Sequence, residues 1–202
     1  MLGIFLDSET NGLNTQKHKI IDIAFAILDM ETGEKKEQYE SIIFQSFEDW
    51  QRSDLESLKV NGFTWEEVSY GKSRETVALE IESLFAKQGI KRGKAVFICQ
   101  NPSFDRAFFA QIIDPDIQEK LLWPYHWLDL ASMFWAESMK KATQSKGPLP
   151  WETGYSKDRI AKAHGLPPEE KPHRAINGMN HLILCYEKVV GFPKKELFAL
   201  RR

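Results

Sequence analysis

The chain has only two cysteines, Cys99 and Cys185, each inside an apolar run. That is too few for a disulfide framework, and it fits buried reduced thiols in a cytoplasmic protein. Long hydrophobic runs are also missing. The apolar start at Leu2 to Leu6 is cut by Asp7, no basic stretch precedes it, and nothing later reaches bilayer-crossing length. A chain with no membrane segment and no cleaved leader is expected. Nor is there an excess of positive charge. A formal net charge of -2 excludes a broad electropositive face of the kind that coats duplex nucleic acid, although it leaves room for a small basic rim around an acidic site. Repeats, low-complexity tracts and linkers are absent too. The 202 residues therefore read as one domain, 1–202, long enough for a substantial core.

What is present begins with Gly3-Ile4-Phe5-Leu6-Asp7-Ser8-Glu9-Thr10-Asn11-Gly12-Leu13. Leu2 to Leu6 has the length and composition of a buried strand, and Asn11-Gly12 marks a turn, which places Asp7 and Glu9 at the C-terminal edge of that strand. Residues two apart on an extended chain share a face. Two carboxylates held together repel unless a cation lies between them, and hard oxygen donors on a rigid element suit Mg²⁺ or Mn²⁺. A solvated acidic turn is the competing reading.

Ile20 to Leu28 is nearly all apolar, as a strand covered on both faces would be. Tyr39 to Phe44 is strand-like after the Thr32-Gly33 turn, so the first three strands form an antiparallel meander. Short helical pieces are expected over Asp54 to Val60 and Trp65 to Tyr70, followed by an amphipathic helix from Ser73 to Lys87. Lys94 to Cys99 is a fourth strand, reached by a helical crossover and so parallel to one already placed. It ends at Gln100-Asn101-Pro102-Ser103, a turn that doubles as a helix N-cap. The next helix carries Phe104, Phe108 and Ile112, with Asp105 in its first turn, where an acid also suits the helix dipole. Trp127 to Leu130 is a short fifth strand leading into a helix over Ala131 to Ala142. Lys146 to Trp151 and Leu166 to Pro172 are loops, flanking a short helix over Lys157 to His164. The second loop, rich in proline, delivers His173 to the last helix, where Ile176, Met179, Ile183, Tyr186 and Val190 form an apolar stripe beside a polar face of Asn177, Asn180 and His181.

Asp7, Glu9, Asp105 and His173 lie far apart in sequence, yet an α/β sheet can bring them together. Acids with a histidine are the parts of two-metal phosphodiester hydrolysis, in which the histidine takes a proton. In these motifs the sequence resembles the DEDDh group of 3′-to-5′ exonucleases, relatives of which include the proofreading epsilon subunit of DNA polymerase III, ribonuclease T and oligoribonuclease. Asp7-Ser8-Glu9-Thr10-Asn11-Gly12-Leu13 is similar to the first motif, Asn101-Pro102-Ser103-Phe104-Asp105 to the second, and Pro172-His173-Arg174-Ala175-Ile176 to the start of the third. Asp129 resembles the family's aspartate after the fifth strand, with a structural role.

The resemblance implies an RNase H-like α/β fold, a mixed five-stranded sheet flanked by helices. It implies a site for two Mg²⁺ or Mn²⁺ ions with Asp7, Glu9 and Asp105 as ligands, Asp7 bridging, and His173 as general base. Thr10, Leu13, Asn101 and Phe104 would meet the substrate, a 3′ end of single-stranded DNA or RNA, with Leu13 as a wedge against the terminal base. A polymerase or other protein partner belongs to the same expectation. Trp127 and Trp151 could stack on bases as Phe104 could, although aromatics of this kind also fill cores. The lysines and arginine at Lys140, Lys141, Lys146, Lys157, Arg159 and Lys162 read as solvated faces that could guide a strand end.

The sequence departs from the pattern at the fourth acid. Five residues after His173 the family has aspartate, and here stands Gly178. Asn177 offers a neutral amide oxygen as a weak substitute, without the charge a divalent ion rewards. Weaker metal binding or reduced activity is expected. The readings are therefore a metal-dependent exonuclease, a catalytically weakened module that binds nucleic acid or a polymerase partner, or a scaffold that uses the fold as an interaction surface. A helix-interior glycine costs about 1 kcal/mol relative to alanine, so Gly178 must serve something other than local stability.

Overall fold

The computed structural model describes residues 1–194. Its centre is a five-stranded sheet in the order β3-β2-β1-β4-β5, with β1 over Leu2–Thr10, β2 over Ile20–Asp29, β3 over Lys35–Ile42, β4 over Ala95–Cys99 and β5 over Trp127–Asp129. β1, β2 and β3 are antiparallel neighbours, and β4 and β5 run parallel to β1. This is the RNase H-like arrangement, with its antiparallel meander and its parallel crossover strand.

β1 lies at the middle of the sheet, so both of its faces are covered. Ile4 and Leu6 point into one core with Val77, Ile81 and Phe85 of α4 (Arg74–Lys87) and Phe108 and Phe109 of α5 (Pro102–Phe109). Phe5 points the other way, into a core with Leu130 and Phe134 of α7 (Leu130–Thr143), Ile160 of α9 (Lys157–Ala163) and Met179, Leu182 and Cys185 of α10 (Ala175–Val189). By the strand's two-residue period, Asp7 and Glu9 continue the Phe5 side toward α9 and α10. Cys99 and Cys185 are both buried free thiols.

The strand boundaries differ from the apolar pattern in informative ways. β1 runs on through the acids to Thr10, so Asp7 and Glu9 lie within its second half and not beyond its edge. β3 begins at Lys35 and ends at Ile42, earlier than the apolar Tyr39 to Phe44 stretch. As an edge strand with one solvated side, it needs pairing with β2 more than apolar content. Three short helices have no apolar periodicity to announce them: α1 (Phe47–Gln51), α6 (Pro115–Lys120) and α8 (Pro150–Thr153), which lies in a stretch that reads as a loop. α2 (Leu55–Asn61) and α3 (Trp65–Ser69) fall where the sequence puts them. No helix among the described residues is long and apolar enough to cross a membrane.

Candidate active site

β1 sets the first two carboxylates, and β4 with α5 supplies the third. Asn101, at the N-cap of α5, adopts a left-handed φ of 59°, and Pro102 follows at the first helical position. The Asn101 side chain does not cap the helix, contrary to expectation. It accepts from Ser103 Oγ at 2.7 Å, while the Asn101 backbone N–H donates to Asp129 Oδ1 at 3.0 Å. Asp129 also caps α7 by accepting from the N–H groups of Ala131 and Ser132. Its structural role is thereby defined: it joins the β4–α5 turn to the start of α7. Asp105, in the first turn of α5, is buried and accepts from Ser8 Oγ at 2.7 Å.

The last helix is anchored from the sheet. Asp22 of β2, the register partner of Glu9, accepts from the Ala175 N–H at 2.9 Å, satisfying one open donor at the start of α10. This fixes the approach of His173. The adjacent Arg174 turns away, over the Phe63 ring and onto Glu67.

Two residues not assigned to the site by sequence stand at its centre. Lys157, the first residue of α9, donates to Asp7 Oδ1 at 2.7 Å and lies 3.0 Å from Glu169 Oε2. These side chains are 13%, 12% and 2% exposed for Lys157, Asp7 and Glu169. The expectation of a solvated Lys157 is overturned: the residue is buried between two acids. Glu169 comes from the proline-rich loop, and its Oε1 is 3.1 Å from His173 Nδ1. The loop is tied down here, with the Glu169 N–H on Asp158 and the Pro167 carbonyl 3.0 Å from His181 Nε2. His181 is therefore buried and not part of an exposed polar face. The stripe on α10 is rotated to match, with Gly178, Met179, Leu182, Cys185 and Tyr186 buried and Val190 half exposed.

Gly178 explains how Lys157 fits. A Cβ at this position would lie 2.0 Å from Asp7 Oδ2 and 2.8 Å from Lys157 Nζ, closer than any side chain allows. The glycine lets α10 come against Asp7 and leaves the volume that the ammonium occupies. Among the remaining predicted residues, Thr10 is buried with its hydroxyl on the Gly12 carbonyl. Leu13 is 73% exposed. Phe104 packs on Phe108, and Trp127 stacks on Phe97 at 4.0 Å, so these rings serve the core. Trp151 stays exposed beside Trp135. Asn177 is half-buried on α10.

The cluster is short of positive charge. Burial pushes the Glu9 carboxyl up to about 8, with the neighbouring negative Asp7 adding to it. Burial raises Asp105 as well, again with Asp7 behind it, and it raises Asp7 against the pull of Lys157. Glu169 goes the other way: burial opposes its ionisation, but His181, Lys157 and His173 outweigh this and hold it at about 2. Burial works against the Lys157 charge too, and Asp7 and Glu169 overcome it, so the ammonium is raised above its ordinary range. One lysine thus sits among carboxylates it does not fully neutralise. Buried carboxyls raised in this way hold protons unless a cation offsets their charge, and hard oxygen donors of this kind fit a divalent ion. Glu9, Glu169 and His173 each bring a donor atom within 4.8 Å of the others.

A family model described as Exonuclease matches residues 4–177. The chain belongs to the exonuclease family. It is a nuclease-fold protein of the DEDDh type, and its motifs are those that carried the sequence resemblance. No curated protein matches the sequence closely enough to count as a relative. Among solved structures, E. coli exonuclease I in complex with a dT13 oligonucleotide is similar with a TM-score of 0.68 at 18% identity, covering 98% of this chain and 43% of that one. Cell-death related nuclease 4 has a TM-score of 0.68 at 13% identity, covering 95% and 65%. A 3′-exonuclease described with 3′-end specific recognition of histone mRNA stem-loop has a TM-score of 0.67 at 13% identity, also covering 95% and 65%. These likenesses show the fold, and this exonuclease-family chain spans less than half of exonuclease I and about two thirds of the other two.

Proposed function

We propose that this chain is a metal-dependent exonuclease that hydrolyses phosphodiester bonds at the 3′ end of single-stranded DNA or RNA. The observation that supports the reading is that contacts link the three dispersed motifs: Asp7 and Glu9 share one face of the middle strand, Asp105 is bonded to that strand through Ser8, and His173 lies 3.1 Å from Glu169, whose other oxygen shares Lys157 with Asp7. A divalent ion held by Asp7, Glu9 and Asp105 would offset the charge of the scissile phosphate and make a water more acidic. The remaining work falls to the protein's own groups. With Nδ1 against Glu169, the His173 ring is oriented so that Nε2 takes the proton from the attacking water. Leu13 covers the terminal base from the open side. That similar structures include one holding dT13 and one described with 3′-end recognition of an RNA supports a single-strand 3′-end substrate.

The contact of Lys157 with Asp7 favours a second reading, a weakened module that binds a strand or a polymerase partner without efficient turnover. A 5′-labelled single strand incubated with Mn²⁺ separates the two. Stepwise shortening from the 3′ end that is lost in Asp105→Asn is the expected outcome. A wild-type protein that binds the strand and leaves it intact would overturn the enzymatic reading and leave the module.

A further inference from the structure

We propose that the Lys157 ammonium is a tethered cation that takes the place of one of the two divalent ions of the family's arrangement, so that this site takes a single divalent ion. The inference rests on the nuclease reading and assigns a role to Lys157 and Glu169, which lie outside the family motifs, and to Gly178, which stands where the family has its fourth acid.

The first observation is position. Lys157 Nζ bridges Asp7 Oδ1 and Glu169 Oε2 at 2.7 and 3.0 Å, the contacts a small cation between two carboxylates would make. An ammonium is a compact point charge with several donors, suited to that place in a way a planar guanidinium is not. The second is volume. A side chain at position 178 would need both groups to move, since its Cβ would lie 2.8 Å from Nζ and 2.0 Å from Asp7 Oδ2. Loss of the fourth acid and gain of the ammonium are one change seen from two helices. The third is that the lysine is placed at a local cost. It is the first residue of α9, where the partial positive charge of the helix start disfavours a cation, and it is buried there. α9 is held in register on α10 by Ile160 and Ala161 in the shared core, so the ammonium is delivered by a packed element.

Glu169 completes the substitution. It brings a second buried carboxylate to the lysine, with Oε2 3.0 Å from Lys157 Nζ and Oε1 3.1 Å from His173 Nδ1. Lys157 thereby becomes a positioning residue for Asp7 and, through Glu169, for His173.

The test counts ions on the full-length protein in the absence of nucleic acid, by calorimetric titration with Mn²⁺ and by electron paramagnetic resonance of the unbound ion. One Mn²⁺ per wild-type chain is expected, and two per chain in Lys157→Gln combined with Gly178→Asp. Lys157→Gln alone should tighten Mn²⁺ binding by about tenfold or more, because it removes a like charge from the site. Two ions in the wild type, or none, would overturn the proposal, and so would a Lys157→Gln protein with unchanged affinity. Should the double variant fail to fold by circular dichroism, the wild-type count decides by itself. Failure of the nuclease reading shows separately, as a chain that binds one Mn²⁺ and cuts no strand.

Discussion

Replacing Gly178 by alanine adds one carbon where α10 lies closest to β1, and the helix and the site respond in opposite directions. Within the helix the change is favourable by about 1 kcal/mol, because glycine carries the larger backbone entropy cost. At the site the new Cβ would be 2.0 Å from Asp7 Oδ2, 2.6 Å from Asp7 Cγ and 2.8 Å from Lys157 Nζ. Asp7 is fixed in the middle strand of the sheet and cannot rotate off the clash while keeping its contact with Lys157. Separating a buried ion pair of this kind costs about 3–5 kcal/mol. The net expectation is a loss of about 2–4 kcal/mol, which for a chain of this size lowers the melting temperature by roughly 5–15 °C. Urea and thermal unfolding of the metal-free proteins measure it. A double-mutant cycle with Lys157→Met should show the cost of Gly178→Ala shrinking once the pair is gone. Gly178→Ala at or above wild-type stability, or a cost independent of Lys157, would refute the coupling of these two residues.

Other consequences follow from the same geometry. Asp22 is pushed up to about 6, chiefly by burial, with the Ala175 N–H pulling the other way. A carboxyl raised on folding makes the folded state bind the proton more tightly, so its contribution to stability falls as pH rises from about 4 to about 6. Asp22→Asn keeps an acceptor for Ala175 and should remove its share of that slope, gaining on the order of 2 kcal/mol above pH 6 in chemical denaturation; the raised carboxyls of Glu9, Asp7 and Asp105 add slope of the same sign in both proteins, so the difference between variant and wild type reads Asp22 alone. In the metal-free protein Asp105→Asn should unfold at a higher temperature than wild type at neutral pH, since burial already penalises the charge, yet Mn²⁺ should no longer raise its melting point. Asp129→Ala should cost about 1–2 kcal/mol through the lost cap of α7 and slow strand cleavage through the freed Asn101 turn, which parallel denaturation and cleavage assays would show.

Much of this molecule is legible in the chain because its elements carry strong local signals. β2 is apolar on both faces and must be central, and the spacing of Asp7 and Glu9 forces both acids to one side of β1 whatever surrounds them. The helix starts at Ser73 and Asp129 have capping side chains that name them. β3 and the short helices α1, α6 and α8 lack such signals, because pairing and capping hold them more than burial does. Lys157 and Glu169 escape for a different reason: one is a lysine in a run of charges, the other an acid in a proline-rich loop, and only the packing of α9 on α10 brings them together. A trace of Lys157 does exist in the sequence, as a cation directly after the Ser156 cap, where the helix dipole offers it nothing. Gly178 was visible as an anomaly, and its meaning depended on what stood opposite. Val190 leaves the α10 stripe for another reason: it is the residue just past the end of the helix, where the chain turns away.

In the proposed nuclease site Lys157 fills a cation's place. Anomalous scattering from crystals grown with Mn²⁺ tests this most directly, because the anomalous map locates the ions while the electron density of the same crystal locates the ammonium. One anomalous peak is expected among Asp7, Glu9 and Asp105, with Lys157 Nζ still in contact with Asp7 and Glu169. Two peaks about 4 Å apart with Lys157 displaced, or no peak beside Asp7 at saturating Mn²⁺, would contradict it.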